Sequence, residues 1–128
     1  MTPARGLLAL SAAILLGLAI GAPARRRCMS LTVPAQQVAR VIDGDTYTLY
    51  DLGLTNERHV RVLGVDAVEL KTPRGPEARD STASWLHRGA FQISACRDDS
   101  FGRMLAWTVR DGDSLHVRLV EWGLGVRR

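Results

Sequence analysis

Two apolar segments of the chain each deliver a cluster of acids. Val41-Ile42-Asp43-Gly44-Asp45-Thr46 supplies Asp43 and Asp45, and Arg61-Val62-Leu63-Gly64-Val65-Asp66-Ala67-Val68-Glu69 supplies Asp66 and Glu69, with Arg61 at its start. A further arginine, Arg103, follows downstream. Carboxylates are hard oxygen donors of the kind that hold Ca²⁺, with waters and backbone carbonyls completing the shell. Guanidinium groups make forked contacts to phosphate oxygens that an ammonium group does not reproduce. An additional carboxylate can take a proton from water. Acids and arginines together therefore suggest metal-dependent chemistry on a phosphodiester. Taken alone, Asp43-Gly44-Asp45 is a turn, and it lacks the twelve-residue ligand spacing of a calcium-binding helix–loop–helix hand. The second cluster gives it weight. If the first and third strands are neighbours, Asp45 and Asp66 converge at one end of the fold.

The elements that must position these groups follow from the pattern. Residues 38–42 read as a strand, Asp43-Gly44 as a hairpin turn, and 46–50 as the returning strand, rich in β-branched and aromatic residues. Residues 51–56 form a polar loop. The alternation from Glu57 puts Val60 and Val62 on one face and His59, Arg61 and Leu63 on the other, to about Val65. Gly75-Pro76-Glu77 then starts a helix, with Ala78, Thr82, Trp85 and Leu86 on one face and Gly89 beyond its end. Two more strands are expected at 90–96 and 102–110, the latter with Leu105, Trp107 and Val109 inward. A second helix follows, with Leu115, Leu119 and Trp122 inward. Trp85, Trp107 and Trp122 are all expected in the core. The order is β-β-β-α-β-β-α, an α+β arrangement in which five short strands suggest a five-stranded OB-fold barrel, whose face commonly serves nucleic acids.

The 128 residues suffice for one domain, and three segments are expected: 1–24, a lead-in at 25–36, and the barrel domain at 37–128. Residues 6–24 carry no charge and end in Ala22-Pro23-Ala24. This reads as a secretory signal peptide, which implies a secreted or periplasmic protein. The alternative is an uncleaved anchor giving membrane attachment, favoured by Arg25-Arg26-Arg27 directly after it; a third option is a start at Met29. Net charge is +4, and of 17 basic residues only Lys71 is lysine. This arginine bias leans weakly toward an anionic partner. Two cysteines, Cys28 and Cys96, leave open a single bridge or two free thiols. His59, His87 and His116 have no ligand spacing.

Five blocks in order complete the reading: Val41-Ile42-Asp43-Gly44-Asp45-Thr46, Arg61 to Leu70, Gly75-Pro76-Glu77-Ala78, Phe101-Gly102-Arg103-Met104-Leu105-Ala106-Trp107, and Leu119-Val120-Glu121-Trp122-Gly123-Leu124. Together they resemble the thermonuclease (micrococcal-nuclease-like) family over residues 38–126. The resemblance implies a calcium-dependent nuclease that cuts DNA and RNA with little sequence preference and leaves 3′-phosphate ends. It implies Asp45, Asp66 and the carbonyl of Ala67 as calcium ligands, and Glu69 as the base that activates water. Arg61 and Arg103 would hold the phosphate, and Asp43 would support the site without binding metal. Val68 stands where relatives have proline, and Phe101 where tyrosine is common. The family's longer members continue with base-stacking tyrosines and a third helix. The alternative function is a non-catalytic OB-fold module that binds nucleic acid. A monomer is expected in either case.

Overall fold

The computed structural model describes residues 28–51 and 56–128. The expected leader at 1–24, the arginine cluster and most of the 51–56 loop lie outside the described residues. Among the described residues no helix is long and apolar enough to cross a membrane.

The chain forms a mixed α+β fold of nine strands and two helices among the described residues. In chain order these are β1 (Met29–Val33), β2 (Val38–Asp43), β3 (Thr46–Tyr50), β4 (Glu57–Val62), β5 (Val65–Ala67), α1 (Gly75–His87), β6 (Phe91–Asp98), β7 (Met104–Arg110), β8 (Asp113–Ser114), α2 (Leu115–Glu121) and β9 (Gly125–Arg127). One sheet runs in the order β1-β6-β7-β4-β3-β2, with β8 alongside β7, and β5 pairs separately with β9. All pairs are antiparallel except β4 with β7. The hydrogen-bonded path is open: β1 and β2 lie at its two ends, yet they are consecutive in the chain, joined through Pro34 and a 3-10 turn at Ala35–Gln37.

The five longer strands and both helices lie where the alternation and turn signals put them. Within the expected lead-in, residues 29–33 pair with β6 along their whole length, and Val33 is buried. The path also corrects one expectation. β4 neighbours β3 and β7, not β2, so the first and third expected strands are separated by the second.

Alternation decides the core. Tyr47, Val60, Val62, Phe91 and Ile93 point inward from the sheet and meet Trp85 and Leu86 of α1 and Leu115 and Leu119 of α2. Tyr47 reaches across to share a 3.0 Å hydrogen bond with Thr108, satisfying two buried hydroxyls at once. Trp107 departs from expectation. It is 44% exposed, and the inward residues of β7 are Met104, Ala106 and Thr108. Both alternations of that strand carry apolar side chains, so the period alone does not choose the face. Tyr47 supplies the partner that lets Thr108 face inward. Trp85 is fully buried, and Trp122 packs against the core from its edge.

Cys28 and Cys96 form a disulfide that ties the start of β1 to β6 across 68 residues of chain. Cross-linking a loop of that length restricts the unfolded chain. The paired Cys28→Ser, Cys96→Ser variant is expected to lose about 2–4 kcal/mol of stability in denaturant unfolding.

Asp113 fixes the entry to α2. It accepts a 2.7 Å bond from Arg118 and a 3.3 Å bond from the buried Trp85 indole. Burial disfavours its charge, but the bonds from Arg118 and Trp85 outweigh that, and its carboxyl titrates below the usual range. A lowered folded value means the contribution is present above the ordinary carboxylate range and is lost as pH falls through the folded value. Asp113→Asn is therefore expected to be less stable than the parent at pH 7, with the gap closing in strong acid. Thermal unfolding at pH 7 and at pH 2–3 measures this.

Candidate active site

The Asp43-Gly44-Asp45 turn leads from β2 to β3, and the β2–β3 register shifts between Val41 and Asp43 just before it. Bulges of this kind re-aim side chains at strand ends. Asp45 is then fixed by four hydrogen bonds. Its amide donates to the Asp43 carboxylate at 3.0 Å, and its carbonyl accepts from Val62 at 2.8 Å. Its carboxylate accepts from the Thr46 hydroxyl at 3.2 Å and from the Ala67 amide at 2.8 Å. The turn itself is held against α1, where Thr82 donates a buried 2.6 Å bond to the Gly44 carbonyl. A side chain at Gly44 would meet the Cβ atoms of Ala67 and Ala78 at 2.8 and 3.0 Å, so glycine is what permits this close approach. Thr82→Val, which keeps the shape and removes the donor, is expected to cost about 1–3 kcal/mol by leaving that carbonyl unpaired. Chemical denaturation checks this.

Asp66 and Ala67 lie on β5, and β5 is held by β9: Asp66 faces Val126 and Ala67 faces Gly125. The bond from Val68 to the Leu124 carbonyl extends this clamp. Arg61 is on β4. Its Nη1 donates to the carbonyls of Val62 and Val65 at 2.6 and 2.9 Å, which locks the guanidinium beside the β4–β5 turn. Its Nη2 lies 2.6 Å from Asp66 and 3.2 Å from Asp45. One nitrogen thus touches both carboxylates, although they come from separate parts of the chain. Convergence is achieved through the β4 backbone, which bonds to Asp45 at Val62, and not through a β2–β4 pairing.

Asp43, Asp45, Arg61, Asp66, Ala67 and Glu69 all line one cleft of about 590 Å³. Burial, the neighbouring Asp43 carboxylate and its hydrogen bond push Asp45 up to about 6, against the opposing pull of the Ala67 amide and Arg61. Glu69 stands exposed at the rim. Arg103 is elsewhere. It lines an adjoining cleft of about 550 Å³, and Arg61 borders both clefts. Arg103 is paired with Asp99 at 2.7 Å, and the same Asp99 side chain caps its own turn by accepting from the amides of Phe101 and Arg103, each at 2.9 Å.

The donors around Asp45 and Asp66 are all oxygen, and an Arg61 nitrogen already bridges them. That set suits a hard cation such as Ca²⁺ more than a soft one. Among the described residues no group of three or more His, Cys, Asp or Glu side chains gathers at metal-holding distance. A cation here would therefore depend on two carboxylates, a backbone carbonyl and water.

Three participants escape the sequence. Arg128 donates to Asp66 at 2.9 Å. Lys71 lines the cleft. Asp99 holds Arg103, and the spacing of an aspartate ahead of Phe101-Gly102-Arg103 is a usable turn signal for it. Nothing local marks Arg128 or Lys71. Comparison with family models and with characterised proteins returned no match for this chain.

Proposed function

We propose that the protein is a calcium-dependent phosphodiesterase, a nuclease acting on DNA and RNA with little sequence preference and leaving 3′-phosphate ends. The observation that carries this is the shared Arg61 nitrogen: Asp45 and Asp66 meet on it in a cleft that also holds Glu69. In this reading Asp45, Asp66 and the Ala67 carbonyl would hold Ca²⁺, which would offset the charge that grows on the phosphate during hydrolysis. Arg61 would bind a non-bridging phosphate oxygen by turning Nη2, which now faces Asp66 and Asp45, toward the substrate. Arg103 shares the adjoining cleft with Arg61, so a phosphate touching both guanidinium groups would lie where the two clefts meet. Glu69, exposed at the rim, takes the proton from the attacking water. Preorganised positive charge of this sort is worth most in the transition state.

The same reading takes the strand path as an OB-type barrel. Its two end strands, β1 and β2, are successive halves of one chain segment, which supports a sheet rolled back on itself. Export fits the Cys28–Cys96 disulfide, a bond favoured in oxidising compartments. All the cleft residues come from one chain, so a monomer suffices. Digestion of plasmid DNA and of RNA by the purified protein, with calcium or with chelator, is the test. Cleavage only with calcium is expected. Retention of nucleic acid without cleavage under both conditions would leave a binding module instead.

A further inference from the structure

The cleft beside the carboxylates carries more positive charge than one phosphate requires. It is bordered by Arg61, Arg97, Arg103 and Arg128, with Asp99 as the acid among them. Asp99 is taken up by Arg103. Among the described residues Arg97 makes no ion pair, and its side chain is exposed. A register shift in the β6–β7 pairing between Ala95 and Arg97 sets Arg97 opposite Leu105, on the same face as the cleft. Arg128 spends one nitrogen on Asp66 and is otherwise open, its side chain 73% exposed.

Trp107 lines the same cleft. Its ring is backed by His116 with centroids 5.0 Å apart, and it is still 44% exposed. The backing depends on Gly64, which has φ +91; a Cβ there would stand 2.8 Å from the indole and 2.7 Å from the imidazole. An exposed indole backed by a second ring, in a cleft lined by guanidinium groups, is the chemistry that stacks an unpaired base while neighbouring phosphates are neutralised. An acidic peptide offers charge without a flat partner for the ring. A duplex keeps its bases stacked inside and offers none to it.

We infer that Arg97, Trp107 and Arg128 form a subsite for a second nucleotide, continuous with the carboxylate cleft through Arg61, and that the ligand is a single-stranded nucleic acid. The inference rests on the phosphodiester reading of the first cleft, but the binding it describes needs no cleavage.

The test is fluorescence anisotropy of a labelled eight-nucleotide oligothymidylate with the purified full chain in chelator, so that no calcium is present. Trp107→Leu is expected to weaken binding about tenfold, the scale of one lost stacking contact. Arg97→Gln is expected to weaken it several-fold and to flatten the dependence of log affinity on log salt by about 0.7, the value for one single-strand phosphate contact. A duplex of equal length is expected to bind more weakly and to be indifferent to Trp107→Leu. Circular dichroism confirms that each variant is folded, and the exposed Arg97 carries the test if Trp107→Leu fails to fold. Parental octamer affinity in the folded variants overturns the subsite, as does polyglutamate that competes equally well with parent and Trp107→Leu. Plasmid digestion with calcium is scored separately. Cleavage with parental octamer binding in the variants sinks the subsite alone, whereas variant-sensitive octamer binding without cleavage sinks the nuclease reading and leaves the subsite standing.

Discussion

Glu69→Gln is expected to lower the rate of calcium-dependent phosphodiester cleavage by about 10²–10⁴-fold, the usual contribution of a positioned general base. The substitution keeps the shape and the hydrogen-bonding reach of the side chain and removes only its ability to accept a proton. Glu69 sits exposed at the rim of the cleft, and among the described residues its side chain makes no ion pair. Stability should therefore change by no more than about 0.5 kcal/mol, as at other exposed positions. Loss of rate without loss of fold is the signature of a group that acts on the reacting atoms. Single-turnover cleavage of a labelled oligonucleotide, read beside an unfolding curve, measures both. A variant cutting at the parental rate removes Glu69 from the mechanism.

Arg61→Ala is expected to behave differently, because Arg61 is both a phosphate ligand in the proposed reaction and a structural cation. It is largely buried and holds two carbonyls and two carboxylates. Removing it leaves Asp45, itself buried, beside Asp43 without a positive partner, and leaves Asp66 with Arg128 alone. Breaking a buried ion pair in this way costs about 3–5 kcal/mol. A cation bound by the same carboxylates replaces the lost charge and binds only the folded chain, so it restores stability by mass action. Denaturant unfolding of Arg61→Ala is expected to show the full loss in chelator and a smaller one in calcium, while cleavage stays depressed in both. Equal losses in chelator and calcium would mean that the two carboxylates do not take a cation.

How far the sequence led can be judged at single residues. The Asp43-Gly44 turn, the Val60 and Val62 face, and the helix with Ala78, Thr82, Trp85 and Leu86 buried all follow from local period and turn chemistry, and the structure has them. The gathering of Asp45, Asp66, Glu69 and Arg61 in one cleft was legible only through the order of the motifs. What was not legible is non-local or one contact deep. β5 and β9 are three residues each, too short for alternation to show, and their pairing joins distant parts of the chain. Trp107 went to the wrong face because both faces of β7 are apolar. The expected partnership of Arg103 with Arg61 at one phosphate overlooked Asp99, since an ion pair leaves no trace in periodicity.

The clamp of β9 on β5 has a consequence for timing. Asp66 and Ala67 are translated early, but the strand that holds them in place comes from residues 125–127. Contacts so far apart in sequence form late, after the intervening chain has been ordered. A ribosome-bound nascent chain therefore carries every acid of the cleft while lacking the frame that aligns them. Asp66 and Ala67 take their framed places in the cleft only after synthesis has passed that strand.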